Sequence, residues 1–164
     1  MAVRDVVRLP DAVLKRRAAY NGGINQALID DLVETMRVSP ACVGLAAPQI
    51  GVSERVIVVD VSSHPKTTTS HGLVVMTDPI IVESDGRAVG REGCMSVPDF
   101  TANIARATSI VVQGLSPGGD EFIIATEGFE ARAFQHEVDH LNGLLILDRV
   151  ESLATDVFRR KTYR

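Results

Sequence analysis

The densest group of chemically competent side chains is Gln135-His136-Glu137-Val138-Asp139-His140. His136 and His140 are four residues apart, so on a helix both imidazoles leave one face and can hold one divalent ion. Glu137 sits beside them, placed to take a proton from water on that ion. Two solvent-facing histidines on a surface helix are the plain alternative. Asp139 reads either as a salt-bridge or capping carboxylate outside the ligand set or as an ordinary surface charge. A catalytic ion usually has three protein ligands and an open position. No histidine follows His140, so a third donor is sought upstream. Cys94, in Glu92-Gly93-Cys94-Met95-Ser96-Val97-Pro98, is the candidate, because a thiolate is a good donor. A buried, inert cysteine is the competing reading. The segment from Cys42 to Gly51 is small and apolar with one amide, Gln49. Small residues admit close approach of a ligand or another backbone. On composition alone this segment reads as a packed loop between helix and strand.

These side chains need elements to position them. Residues 25–38 place Ala27, Leu28, Leu32, Val33 and Met36 at helical spacing, and Pro40 ends that helix. Residues 56–60 are β-branched and read as a buried strand. Residues 62–72 are polar and read as an exposed loop carrying His64 and His71, both expected to face solvent. Residues 73–76 and 80–82 read as short strands around a turn at Thr77-Asp78-Pro79. Residues 109–113 and 122–125 bracket Ser116-Pro117-Gly118-Gly119 and read as a hairpin. Residues 129–141 read as a helix stopped by Asn142-Gly143. Helix, antiparallel strands, then helix argues α+β.

The chain has 164 residues, which suits one domain, 1–164. Its net charge of -4 gives no reason to expect nucleic acid as a partner. The basic run from Arg159 to Arg164 reads as a solvated helix end. No signal peptide and no membrane span is expected, and a soluble, intracellular protein, cytoplasmic in location, is the expectation. Two cysteines are too few for a disulfide scaffold.

Taken together, the three segments resemble the peptide deformylase family. Its signatures of the type G-x-G-x-A-A-x-Q, E-G-C-x-S and H-E-x-x-H stand here as Cys42-Val43-Gly44-Leu45-Ala46-Ala47-Pro48-Gln49, Glu92-Gly93-Cys94-Met95-Ser96 and His136-Glu137-Val138-Asp139-His140, in the same order. The resemblance implies antiparallel β-strands packed around a central metal-binding helix. It implies removal of the formyl group from formylmethionyl nascent polypeptides, near the ribosome, by a monomer. Its implied ligands are Cys94, His136 and His140. The implied ion is divalent, with Fe(II) native and Zn(II), Ni(II) or Co(II) as other occupants. Metal-bound hydroxide is expected to attack the formyl carbon with Glu137 as general acid/base. The Gln49 amide and the Met95 backbone N–H are the expected donors to the oxyanion. Val43, Gly44, Leu45, Glu92, Gly93, Phe129, Arg132 and Ala133 are the expected substrate-contacting residues.

The chain departs from the pattern in places. Cys42 replaces the first glycine and brings a second sulfur toward the metal. Thr101 stands where many members carry Arg. Arg132 replaces an aliphatic residue on the pocket face of the metal helix. A buried charge is costly unless paired. Arg132 is therefore expected either to snorkel to solvent along the pocket wall or to select a polar or acidic substrate side chain. A metalloprotease is the reading that H-E-x-x-H alone would allow.

Overall fold

A computed structural model describes residues 2–161. Asn25 caps helix α1 (Gln26–Val38), its side chain accepting the Leu28 N–H at 3.2 Å. Then come β1 (Gly44–Ala46), a short 3-10 helix Ala47–Ile50, β2 (Val56–Val59) and β3 (Val74–Asp85). Strands β4 (Ala88–Cys94), β5 (Val97–Arg106), β6 (Ser109–Leu115) and β7 (Glu121–Glu127) follow. The chain continues through helix α2 (Gly128–Leu141), the short α3 (Ile146–Arg149) and β8 (Val157–Arg159).

The strands form two antiparallel sheets. One has the order β1-β2-β3-β6-β7 and the other β4-β5-β8, so β1 and β4 are edge strands. All four residues of β2 are buried because both faces of its sheet are covered. Val56 and Val58 pack with Leu28, Leu32 and Met36 of α1. Ile57 and Val59 pack with Ala131, Phe134, Val138 and Leu141 of α2. The smaller sheet closes its own core, where Val97, Ala102 and Ile104 meet Leu14, Leu145 and Ile146. Helix α2 is thus a central helix between two sheets, as the α+β expectation required.

Two expectations need correction. Residues 73–76 and 80–82 are not separate strands: β3 runs through Thr77-Asp78-Pro79 as an irregularity of register, with Asp78 at φ 51. The Asp78 carboxylate accepts the backbone N–H groups of Asn21 and Gly22 at 2.8 and 2.9 Å, which stabilises that backbone without a turn. The basic run at the C-terminus is not a helix end. Arg159 closes strand β8 against β5, and Arg164 lies outside the described residues. The sheet β4-β5-β8 itself was not foreseen, because its strands lack a long β-branched run. Among the described residues no helix is long and apolar enough to cross a membrane.

Candidate active site

Strand alternation and helical periodicity together build the site. Along β4, Glu92 and Cys94 are buried while Arg91 and Gly93 are exposed, so both acid and thiol turn toward α2. From α2, His136 and His140 point back at them. Cys94 Sγ lies 3.4 Å from His140 Nε2, which lies 3.2 Å from His136 Nε2. All three donor atoms fall within 4.8 Å of one another. A tetrahedral ion with usual bond lengths would hold such atoms roughly 3.4–3.6 Å apart, so the three residues fit one ion.

The charges are arranged for a cation. Burial opposes ionisation of Cys94, but the facing His140 and His136 imidazoles outweigh it and hold the thiol well below its ordinary range. His136 Nδ1 is 2.9 Å from Glu92 Oε1. With Nδ1 donating there, Nε2 carries the lone pair needed by a metal. Burial opposes protonation of His136, while Cys94 and Glu92 favour it more strongly, so its pKa is raised.

Glu92 anchors a buried network. Arg106 donates to both Glu92 oxygens at 2.9 Å and to Asp139 Oδ2 at 2.6 Å. Arg149 holds Asp139 from the other side at 2.7 Å. Burial raises the Glu92 pKa, but its bonds to Arg106 and His136 hold the carboxyl far below the ordinary range. Asp139 is therefore a buried salt-bridge group, one of the two readings of its spacing. Arg106 was missed because a charged residue at the end of β5 gives no sign that it faces inward.

Arg132 does not take the solvent-directed course expected of a snorkelling side chain. Its side chain is 14% exposed, and its guanidinium bonds Glu92 Oε2 at 2.7 Å. It also donates to the Ile104 and Ala88 carbonyls at 2.9 Å each. The head thus does not snorkel to solvent, and its charge is neutralised inside the protein. The residue lines the cleft while tying α2 to β4 and β5.

Glu137 is 4% exposed, and its Oε1 has no partner among the described residues. Burial raises its pKa against the opposing pull of His136 and His140. A Cβ added at Gly44 would lie 2.6 Å from Glu137 Oε2, so the bare backbone of β1 presses on the carboxylate. The Gln49 amide oxygen accepts the Ala46 N–H at 3.1 Å, which turns its NH2 toward Cys94 Sγ at 3.7 Å and Ser96 Oγ at 3.2 Å.

A cleft of about 320 Å³ opens over these groups. Val43, Gly44, Gln49, Glu92, Gly93, Met95, Phe129, Arg132 and Ala133 line it, together with Glu137 and the candidate metal ligands Cys94 and His136. Leu45 does not; its side chain is fully buried under α1. Cys42 does line the cleft, donating its thiol to the Gly44 carbonyl at 3.1 Å. Burial and the Glu137 charge push that thiol up to about 12, so it stays protonated and is no second thiolate. His64 is another lining residue that the sequence concealed: its ring stacks on Phe129 at 4.2 Å. His71 is held by the buried Glu130 carboxylate, and the two loop histidines form no metal cluster among the described residues.

Residues 3–156 match the family model described as polypeptide deformylase. The chain is 42% identical to the peptide deformylase of Thermodesulfovibrio yellowstonii, over 98% of this chain and 97% of that one. It is 44% identical to that of Halothermothrix orenii, over 96% and 99% respectively. The Met-Ala-Ser-bound class I type b peptide deformylase of Acinetobacter baumannii matches with a TM-score of 0.82 and 36% identity, covering 91% of this chain and 99% of that chain. Likeness of this extent in sequence and in fold, meeting at a site built for one metal ion, shows that the chain belongs to the peptide deformylase family of hydrolases.

Proposed function

We propose that this cleft removes the formyl group from formylmethionyl nascent polypeptides, as one catalytic domain working as a monomer near the ribosome in the cytoplasm. The observation that carries this reading is the convergence of Cys94, His136 and His140 beside the unpartnered Oε1 of the buried Glu137. A divalent ion held by those three residues supplies Lewis acidity and makes water nucleophilic near neutral pH. Fe(II) is proposed as the native ion, with Zn(II), Ni(II) or Co(II) as other occupants, since mixed imidazole and thiolate donors accept all four.

The chain's own groups do the rest. Glu137 takes the proton of the attacking water at Oε1 and returns it to the leaving amine nitrogen. The Gln49 NH2 and the Met95 backbone N–H donate to the oxygen of the reacting carbonyl. Loss of one such donor typically costs about 10²–10³ in rate. β1 and β4 are edge strands, and Gly44 and Gly93 on them line the cleft. An extended peptide can pair there as an added strand. Phe129 and Ala133 offer an apolar wall for a methionine side chain. Arg132 is neutralised by Glu92, so that wall presents no free charge and favours methionine over an acidic residue. Glu92 acts by positioning His136, and the Leu45 side chain supports β1 by packing under α1.

The decisive experiment loads the protein with Ni(II) or Co(II) and measures formate release from formyl-Met-Ala-Ser. Efficient release, with no cleavage of unformylated Met-Ala-Ser, is expected. Cleavage of the internal peptide bond, or a metal-filled protein that releases no formate, would overturn the reading.

Gly44→Ala tests the placement of the general base. The added methyl must displace the Glu137 carboxylate, and a misplacement of about 1 Å can cost about 10²-fold in rate. Metal content should remain as in the unaltered protein. A Gly44→Ala protein of normal kcat would mean that the carboxylate position is not critical.

A further inference from the structure

We infer that the mouth of the cleft selects acidic peptides: Lys66, Arg91 and Arg160 ring it and favour anionic side chains at the second and third residues of the formylated chain. This rests on the deformylase reading above. The three cations line the same cleft and are exposed, in a chain whose net charge is -4. The carboxylates lining that cleft are Glu92 and Glu137. Glu92 is neutralised by Arg106 and Arg132, and Glu137 is buried beside the metal ligands. The rim therefore has positive charge that no lining carboxylate offsets.

Arg91 is held in place by neutral partners, and Arg160 is anchored through its backbone. Arg91 donates to Asn103 Oδ1 at 3.0 Å and lies over the Phe158 ring at 3.6 Å. Such contacts fix a guanidinium without cancelling its charge. Arg160 follows β8, its backbone N–H bonded to the Asp99 carbonyl at 2.8 Å. Its guanidinium reaches across to β4, where a Cβ on Gly93 would lie 2.4 Å from Nη2. It meets no carboxylate in a salt bridge among the described residues. Arg91 and Arg160 thus flank Gly93, the edge-strand position at which an extended peptide would leave the metal. Lys66 comes from the segment between β2 and β3, its backbone N–H bonded to Nδ1 of the His64 that stacks on Phe129. Exposed ion pairs are individually weak, but two or three acting together correspond to about ten-fold in kcat/KM at low salt. Salt should erase most of that.

The test uses the Ni(II)-loaded protein with formyl-Met-Glu-Glu-amide, formyl-Met-Ala-Ala-amide, formyl-Met-Lys-Lys-amide and formyl-Met-Ala-Ala with a free carboxylate. The expected order of kcat/KM at low salt is Glu-Glu over Ala-Ala by about ten-fold, with Lys-Lys lowest. Arg160→Gln and Arg91→Gln should each shrink the Glu-Glu to Ala-Ala ratio, and Arg160→Glu should invert it. Arg87→Gln, removing an exposed cation away from the cleft, should leave the ratio alone. Equal rates at low salt, or a preference that survives in the Arg160→Gln and Arg91→Gln proteins, would overturn the proposal. So would a free-acid advantage without a Glu-Glu advantage, because the rim would then read a chain terminus. If no formylated peptide is turned over, the deformylase reading fails first. Calorimetric binding of Met-Glu-Glu-amide against Met-Ala-Ala-amide then decides the rim separately: tighter, salt-sensitive binding of the acidic peptide supports it, and equal binding overturns it.

Discussion

Glu137→Gln is expected to keep the full metal content and lose about 10²–10⁴ in kcat. The substitution conserves shape in a space where Gly44 leaves no room for anything larger. It removes the proton acceptor while leaving Cys94, His136 and His140 untouched. Oε1 is the buried oxygen of this carboxylate without a partner, so the lost group is the one free to act. Because the loss falls on proton transfer rather than on peptide pairing, KM should change much less than kcat. Metal analysis alongside formate release separates the two contributions. A Glu137→Gln protein that turns over normally would remove the residue from the chemistry. A protein that loses its metal would instead make Glu137 part of the ligand environment.

Arg106→Met is expected to have the largest effect on stability. The side chain is 4% exposed, and its guanidinium bridges Glu92 and Asp139, both buried. Removing one member of a buried ionic network strands the others and costs about 3–5 kcal/mol. For a chain of this size that corresponds to a Tm lower by roughly 6–20 °C. Glu92 also orients His136, so metal affinity should drop about 10–100-fold. Arg149→Met is the contrast. Arg149 binds the same Asp139, but its side chain is 46% exposed, and such pairs contribute about 0–1 kcal/mol. Thermal melts and metal titrations of the two variants check the argument. Equal melting temperatures would mean that burial of the network matters less than its geometry suggests.

The legibility of the site followed the range of the interactions that form it. His136, Glu137 and His140 were readable because helical periodicity acts over four residues. The helix α1, strand β2 and the hairpin β6–β7 were readable for the same reason, since repeating apolar positions and turn residues are local signals. Strands β4 and β5 carry little such signal, yet they bring in Cys94, Glu92 and Arg106. Their pairing is set by register with distant partners, which composition does not reveal.

Arg132 shows where local reasoning stops. Its position on the cleft-facing side of α2 was readable, but its partner was not. Glu92 lies 40 residues upstream and reaches it only because β4 packs beside α2. Cys42 is similar: its type and place in the chain were visible, whereas the hydrogen bond to the Gly44 carbonyl depends on the bend into β1. The spacing of a few reactive residues, in the right order, was enough to single out the Cys94, His136 and His140 group and the family. Which charges meet inside the protein, and which stay free at the mouth of the cleft, depended on packing. An ion pair is made by proximity in space, and a sequence records only proximity along the chain.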